Sequence, residues 1–182
     1  MKYYTEVQLA DGRICVISNA AETDAAELTA VRRQTSGETD FMARYPYEIP
    51  ENISQVAASL QTSEESAGAV ELCARLDEKI VGLAGVHPVC ASDKKRHRAQ
   101  FGVCVLRGYW RLGIGAALCG SAIAFSRACG YAQLELSVVA ENQAAMALYR
   151  KLGFQECGRN PRGFRLRTGR WQELVEMRLE LM

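Results

Sequence analysis

Residues 103–118 read VCVLRGYWRLGIGAAL, and the fold is decided there. The apolar run at Val103–Leu106 has the look of a buried strand. It enters a loop holding Gly113 and Gly115, and the loop opens a helix with Leu118, Ala122, Phe125 and Cys129 on one face, stopped by Gly130. Glycines at such a junction let the backbone come close to a ligand, and the helix N-terminus adds roughly half a positive charge. A strand–GxG–helix unit is therefore either a phosphate or pyrophosphate site or simply a turn. It is not a P-loop, because no GxxxxGK[ST] is present. A dinucleotide fingerprint would need a small residue where Leu118 stands, and would open a βαβ array rather than follow three strands.

Outward from this unit, the strand itself is predicted from Ala99 to Leu106, after a basic loop DKKRHR at 93–98. Upstream, Ile80–Val86 reads as a buried strand. It is joined through a turn at Asp77-Glu78-Lys79 to a strand in which Val70, Leu72, Ala74 and Leu76 alternate with more polar partners. Two helices precede these, over 21–35 and after Pro50, and a short strand covers 13–18. Between the helices lies an irregular stretch with Phe41, Tyr45 and Tyr47 beside Glu38, Asp40 and Glu48, acidic enough to suit a cationic amine. Downstream, Leu134, Leu136 and Val138 form a strand, and Asn142 caps a helix ended by Gly153. The tail returns as strands over 154–159 and 174–181, around an arginine-rich loop. The order β-α-α-β-β-β-α-β-α-β-β predicts one α/β domain over residues 1–182, a mixed sheet with helices on its faces.

Bulk properties agree with one globular domain: 182 residues, 48% hydrophobic, 24% charged and a formal net charge of +1. Near-neutral charge gives no global reason to expect nucleic acid or an anionic membrane as partner. The arginine–aromatic run at 159–170 resembles an RNA-binding segment, but no nucleic-acid fold accompanies it, so nucleic acid is not expected. The first residues lack the apolar core of a signal peptide, and no run approaches the ~18 apolar residues of a membrane span. Seven cysteines without a CxxC pair suit a reducing compartment, so a cytoplasmic location is expected. With only His87 and His97 as imidazoles, no metal is expected.

A second segment sharpens the reading. Glu141 to Phe154, ENQAAMALYRKLGF, follows one strand after the glycine loop. Together the two segments resemble the GNAT acetyltransferase superfamily. Its acetyl-CoA loop reads Q/R-x-x-G-x-G/A, and a later helix reads N-x-x-A-x-x-x-Y-x-x-x-G-F. Asn142, Ala145, Tyr149, Gly153 and Phe154 stand at that spacing, and the resemblance covers roughly the C-terminal half, with an acetyl-CoA-binding core at about 99–154. It implies a mostly antiparallel central sheet of about six to seven strands with about four helices. It also implies an enzyme that moves acetyl from acetyl-CoA to an amine acceptor, and it allows a homodimer.

The family's roles then fall on particular residues. The cofactor strand carries Val103, Cys104 and Val105, with backbone groups of Val103 and Val105 offered to the pantetheine arm. Amides of Arg111, Leu112, Gly113, Ile114, Gly115 and Ala116 would take the pyrophosphate, and Asn142 the cofactor arm. Tyr149 would protonate or stabilise the departing thiolate; read from its helix alone, it is equally a core aromatic beside Leu148 and Leu152. Two departures stand out. Trp110 occupies the usual Gln/Arg position, and the strand before the loop presents Gln100 where many relatives have Glu. Deprotonation of the amine would then fall to Glu135, to His97, or to a water that Gln100 orients. Cys104 has no His/Asp pair to make it a nucleophile. The missing strand carboxylate leaves a second reading open, a CoA-binding module without catalysis.

Overall fold

The computed structural model describes residues 2–181. In chain order these form β1 (Tyr4–Gln8), β2 (Ile14–Asn19), α1 (Ala25–Glu38), α2 (Ile53–Glu65), β3 (Val70–Leu76), β4 (Lys79–Pro88), β5 (Arg98–Val105), α3 (Ile114–Ala128), β6 (Gln133–Val139), α4 (Gln143–Lys151), β7 (Gln155–Arg165) and β8 (Trp171–Glu180). The turn between β3 and β4 has two central residues, Asp77 and Glu78, both at positive φ (50° and 64°). That is the type I′ geometry whose twist suits a two-residue hairpin. Asn52 caps α2 by accepting the Gln55 N–H, and Asn142 caps α4 by accepting that of Ala145.

All strands join one sheet in the order β1-β2-β3-β4-β5-β6-β8-β7, with only the β5–β6 pair parallel. Leu72, Ala74, Val86, Ala99 and Phe101 belong to the core that includes α3 and α4. Cys73, Ile80 and Leu83 meet Leu28 and Val31 of α1 and Leu60 of α2 in the other. The sheet is thus covered on both faces, as the alternating pattern predicts. No helix among the described residues is long and apolar enough to cross a membrane.

Two strands differ from expectation. The eighth strand is β1, a half-exposed edge strand whose alternation is too weak to see in sequence; its pairing with β2 holds it in place. The other is β7, which runs through most of the arginine-rich stretch to Arg165, leaving only residues 166–170 as loop. Pro161 is tolerated because β7 is the outermost strand and its register shifts between Asn160 and Phe164.

Candidate active site

Every strand in the sheet is ladder-paired along most of its length except at one seam. There β5 and β6 pair only through Arg98–Gln100 with Gln133–Glu135 and then part. On its other side β5 stays paired with β4 through Val105. The Val89 N–H donates to Arg98 O and the Leu106 N–H to Val81 O, so the even-numbered residues of β5 spend their backbone groups on β4. The odd-numbered ones, Val103 and Val105, turn theirs into the open seam. One of these is already taken, since the Trp110 indole N–H donates to Val105 O at 2.7 Å. The Arg107 guanidinium lies 5.8 Å from the same ring. Cys104 lines the same cavity as Val103 and Val105. It is partnered with Leu83, and its thiol, pushed up by burial, lies on the α1 side of the sheet.

Beyond β5 the chain turns through Arg107–Tyr109 and reaches α3 by two left-handed residues, Arg111 (φ 68°) and Gly113 (φ 96°). The first intrahelical bond runs from Ala117 N–H to Gly113 O. Among the described residues none of the N–H groups from Arg111 through Ala116 has an acceptor within the protein. A row of unpaired amides at a helix N-terminus has the donors and the dipole that suit an anion. A side chain at Gly115 would make only ordinary contacts with the protein, at 3.7 Å from Leu148. What its absence leaves open is the cavity, which Gly113 and Gly115 line together.

That cavity, about 1100 Å³, runs from the α3 N-terminus through the seam to α1. On the α4 wall Asn142 spends its Oδ1 on the cap, leaving its amide hydrogens, and Tyr149 lines the cavity lower down. Tyr149 is only 7% exposed, packed edge-on against Phe101 at 5.9 Å and near Phe154. Among the described residues its hydroxyl has no hydrogen-bond partner. Burial, with Cys119 adding to it, holds the phenol proton well above its ordinary pKa. Tyr149 is thus a core aromatic that also lines the cavity.

At the α1 end the walls are side chains. Glu71 of β3 accepts from Arg32 Nη2 at 2.8 Å, and its other oxygen lies 3.0 Å from His87 Nε2. Burial pushes Glu71 up, but the His87 hydrogen bond and the Arg32 charge outweigh it, leaving its pKa below the ordinary value. Outside that lining, a stack of Tyr45 on Tyr47 receives the Arg167 guanidinium at 5.1 and 4.3 Å, and the Arg167 N–H donates to the Tyr45 hydroxyl. This ties the 39–50 loop to the β7–β8 turn. Glu38 and Glu48, expected to face a cation, instead accept the N–H groups of Arg107 and Tyr45.

Gln100 and Glu135 line a smaller polar annex of about 270 Å³, which shares His87, Phe101, Gly102, Leu136 and Ser137 with the main cavity. There Glu135 is held by Arg98 at 2.5 and 2.8 Å. His97 is exposed, with its carbonyl accepting from Ala132 and Gln133. The basic run at 93–98 sits at the start of the eight-residue β5 and the amide row beyond its end, so they lie roughly 25 Å apart, too far for joint phosphate contact. Sequence reading missed Arg32, Glu71 and His87, because each stands singly in its own element and only the sheet register brings them together.

Comparison with known proteins bears on the same geometry. Residues 35–154 match the model of the acetyltransferase (GNAT) family. The GNAT-family acetyltransferase of Streptococcus pneumoniae is 29% identical, covers 92% of this chain and 99% of its own, and superposes with a TM-score of 0.88. YncA from Salmonella typhimurium, solved with acetyl-CoA as its cofactor, covers 92% of this chain and 94% of its own at a TM-score of 0.82; at 21% identity that likeness is of fold alone. Human N-acetyltransferase 8 is 34% identical over 88 residues, a match spanning 48% of this chain and 39% of the human protein.

Proposed function

This chain belongs to the GNAT acetyltransferase family, and from that premise we propose that it moves acetyl from acetyl-CoA to a primary amine of a small molecule or peptide by direct attack in a ternary complex. The observation that carries the proposal is the coincidence of the unpaired β5–β6 seam with the unpaired amides of Arg111–Ala116. A pantetheine arm needs backbone partners along an extended path, and the seam offers those of Val103 together with the Val105 N–H. A pyrophosphate needs convergent donors, and the α3 N-terminus offers Arg111, Leu112, Gly113, Ile114, Gly115 and Ala116. The amide hydrogens of Asn142 face the arm from the other side.

Acyl transfer makes an oxyanion and then a thiolate. In this reading a seam N–H stabilises the first and the Tyr149 hydroxyl meets the second. The raised pKa of Tyr149 favours a hydrogen bond donated to sulfur as charge builds, rather than a free tyrosinate. The same apolar walls make an unprotonated thiolate equally costly, so proton transfer to sulfur stays feasible. Gln100 and Glu135 take part through water in the annex.

The test is release of free thiol from acetyl-CoA over a panel of primary amines, with the amide product identified by mass. Amine-dependent release with intersecting initial-velocity lines is expected. Parallel lines would indicate an acyl-enzyme. Acetyl-CoA binding without transfer to any amine would leave a CoA-binding module instead.

A further inference from the structure

Resting on that acetyl-transfer reading, we propose that His87 is the group that takes the proton from the acceptor's ammonium, held in place for this by Glu71 and Arg32. The argument is geometric. Glu71, Gly85 and Gly102 are register partners across β3, β4 and β5, and His87 and Gln100, two residues on, form the next row on the same face. Over the two glycines lies a notch, walled by the Glu71 and His87 side chains at Gly85 and open at Gly102 toward the seam. Gly85 is required there, because a Cβ would stand 2.8 Å from Glu71 Oε1 and 3.0 Å from His87 Nε2. Gly102 has nothing within 4 Å of its own Cβ position, so the notch is open to a ligand. An amine in it would lie between His87 and the point where β5 leaves β6.

The tautomer follows from the partners. A Glu71 carboxylate held by Arg32 is ionised and accepts only, so the proton between it and His87 belongs to Nε2. Nδ1 then keeps its lone pair. His87 keeps 43% of its side chain exposed while Glu71 keeps 11%, which is the arrangement of an accessible base on a buried orienting carboxylate. The other charged groups facing it are Glu135, neutralised by Arg98, and Glu176, which accepts the Ser137 hydroxyl.

The step balances. One proton passes from R–NH3+ to Nδ1, leaving an imidazolium against Glu71 and a neutral amine. Its lone pair forms the C–N bond as the C–S electron pair goes to sulfur. The second N–H proton lost in forming the amide balances the one gained by the thiolate. His87 lines both the cavity and the annex, and 270 Å³ holds several waters, so its proton leaves through the annex to solvent.

The experiment compares wild type, His87→Ala and Glu71→Gln on the best primary alkylamine of the panel and on its β,β-difluoro analogue, whose fluorines lower the amine pKa. Circular dichroism and the acetyl-CoA thermal shift serve as fold and binding controls. His87→Ala is expected to lose on the order of 10²-fold in kcat/KM on the alkylamine at neutral pH and under about 10-fold on the analogue. Glu71→Gln, whose amide no longer fixes the proton on Nε2, should lose activity on the alkylamine in the same direction as His87→Ala. Nitrogen-15 NMR of His87 should show the Nε2–H tautomer, whether or not an acceptor is known. Equal losses on both amines, no loss, or an Nδ1–H tautomer would overturn the role of His87. A wild type that binds acetyl-CoA yet acetylates no amine would overturn the transfer reading itself, and the role of His87 with it.

Discussion

The two walls of the cavity are built from different materials. The α3–α4 wall is backbone: a left-handed glycine, unpaired helix-terminal amides and a capped helix start. The α1 wall is side chains drawn from separate elements, with Arg32 reaching Glu71 across 39 positions. A backbone site tolerates nearly any side chain that leaves room, so it should fail sharply when room is lost. A side-chain site should fail by degrees, one contact at a time.

The sharpest break is expected on the backbone wall. Acetyl-CoA should raise the melting temperature by roughly 5–10 °C at a hundredfold excess over Kd. Replacing Gly113 and Gly115 together with valine should abolish that shift. Gly115→Val alone should also remove most of it while leaving the unliganded protein folded, because its Cβ meets only ordinary contacts. An unchanged shift, followed by thermal unfolding, would remove the anion-site assignment.

Where the walls meet, Tyr149→Phe deletes one hydroxyl that no group among the described residues uses. Its ring packing on Phe101 and Phe154 survives. A kcat lower by about 10²-fold with little change in acetyl-CoA affinity is expected from steady-state kinetics. A kcat unchanged would confine Tyr149 to packing.

On the side-chain wall, and in the 39–50 loop that supplies part of it, the effects should be smaller and separable. Arg167→Ala removes the cation from the Tyr45–Tyr47 stack. The acceptor KM should rise by about 10-fold or less, with kcat and the acetyl-CoA thermal shift unchanged. Loss of the thermal shift would show that the walls are not separable. The smallest effect is one of stability. Glu71 has a folded pKa below its unfolded value, so its contribution is present above the unfolded pKa and fades as pH falls through the folded one. The stability gap between wild type and Glu71→Gln, read by urea unfolding, should therefore be full at neutral pH and close on acidification. A gap independent of pH would mean that Glu71 is not ionised in the folded protein.

The same contrast explains what could be read in the sequence. Backbone sites advertise themselves by spacing: Gly113 and Gly115 at a strand–helix junction, then Asn142, Tyr149 and Gly153 on one helical repeat. The layers and most of the element order followed from hydrophobic period, and the turn at Asp77-Glu78-Lys79 from its polar residues, though Lys79 already belongs to β4. β1 escaped because an edge strand half in solvent has little hydrophobic contrast, and the far part of β7 because Pro161 and Gly163 read as loop unless the strand is known to be outermost. Glu71 looked like one polar partner in an alternating strand. What makes it a site residue is a row across three strands, and register is not written in any one of them. Its neighbour His87 was counted only as a metal ligand too few. Likewise Glu38 and Glu48 looked substrate-facing because charge is visible in sequence, while its hydrogen-bond partners are not.

The central claim, that the cofactor enters the sheet at the β5–β6 seam, is tested most directly by the crystal structure of this protein with acetyl-CoA. The account expects the pantetheine arm between β5 and β6, bonded to Val103 backbone groups. The diphosphate should lie on the amides of Arg111–Ala116, and the thioester sulfur within about 3.5 Å of the Tyr149 hydroxyl. A closed seam with the pantetheine on another surface, or phosphates held away from the α3 N-terminus, would contradict it.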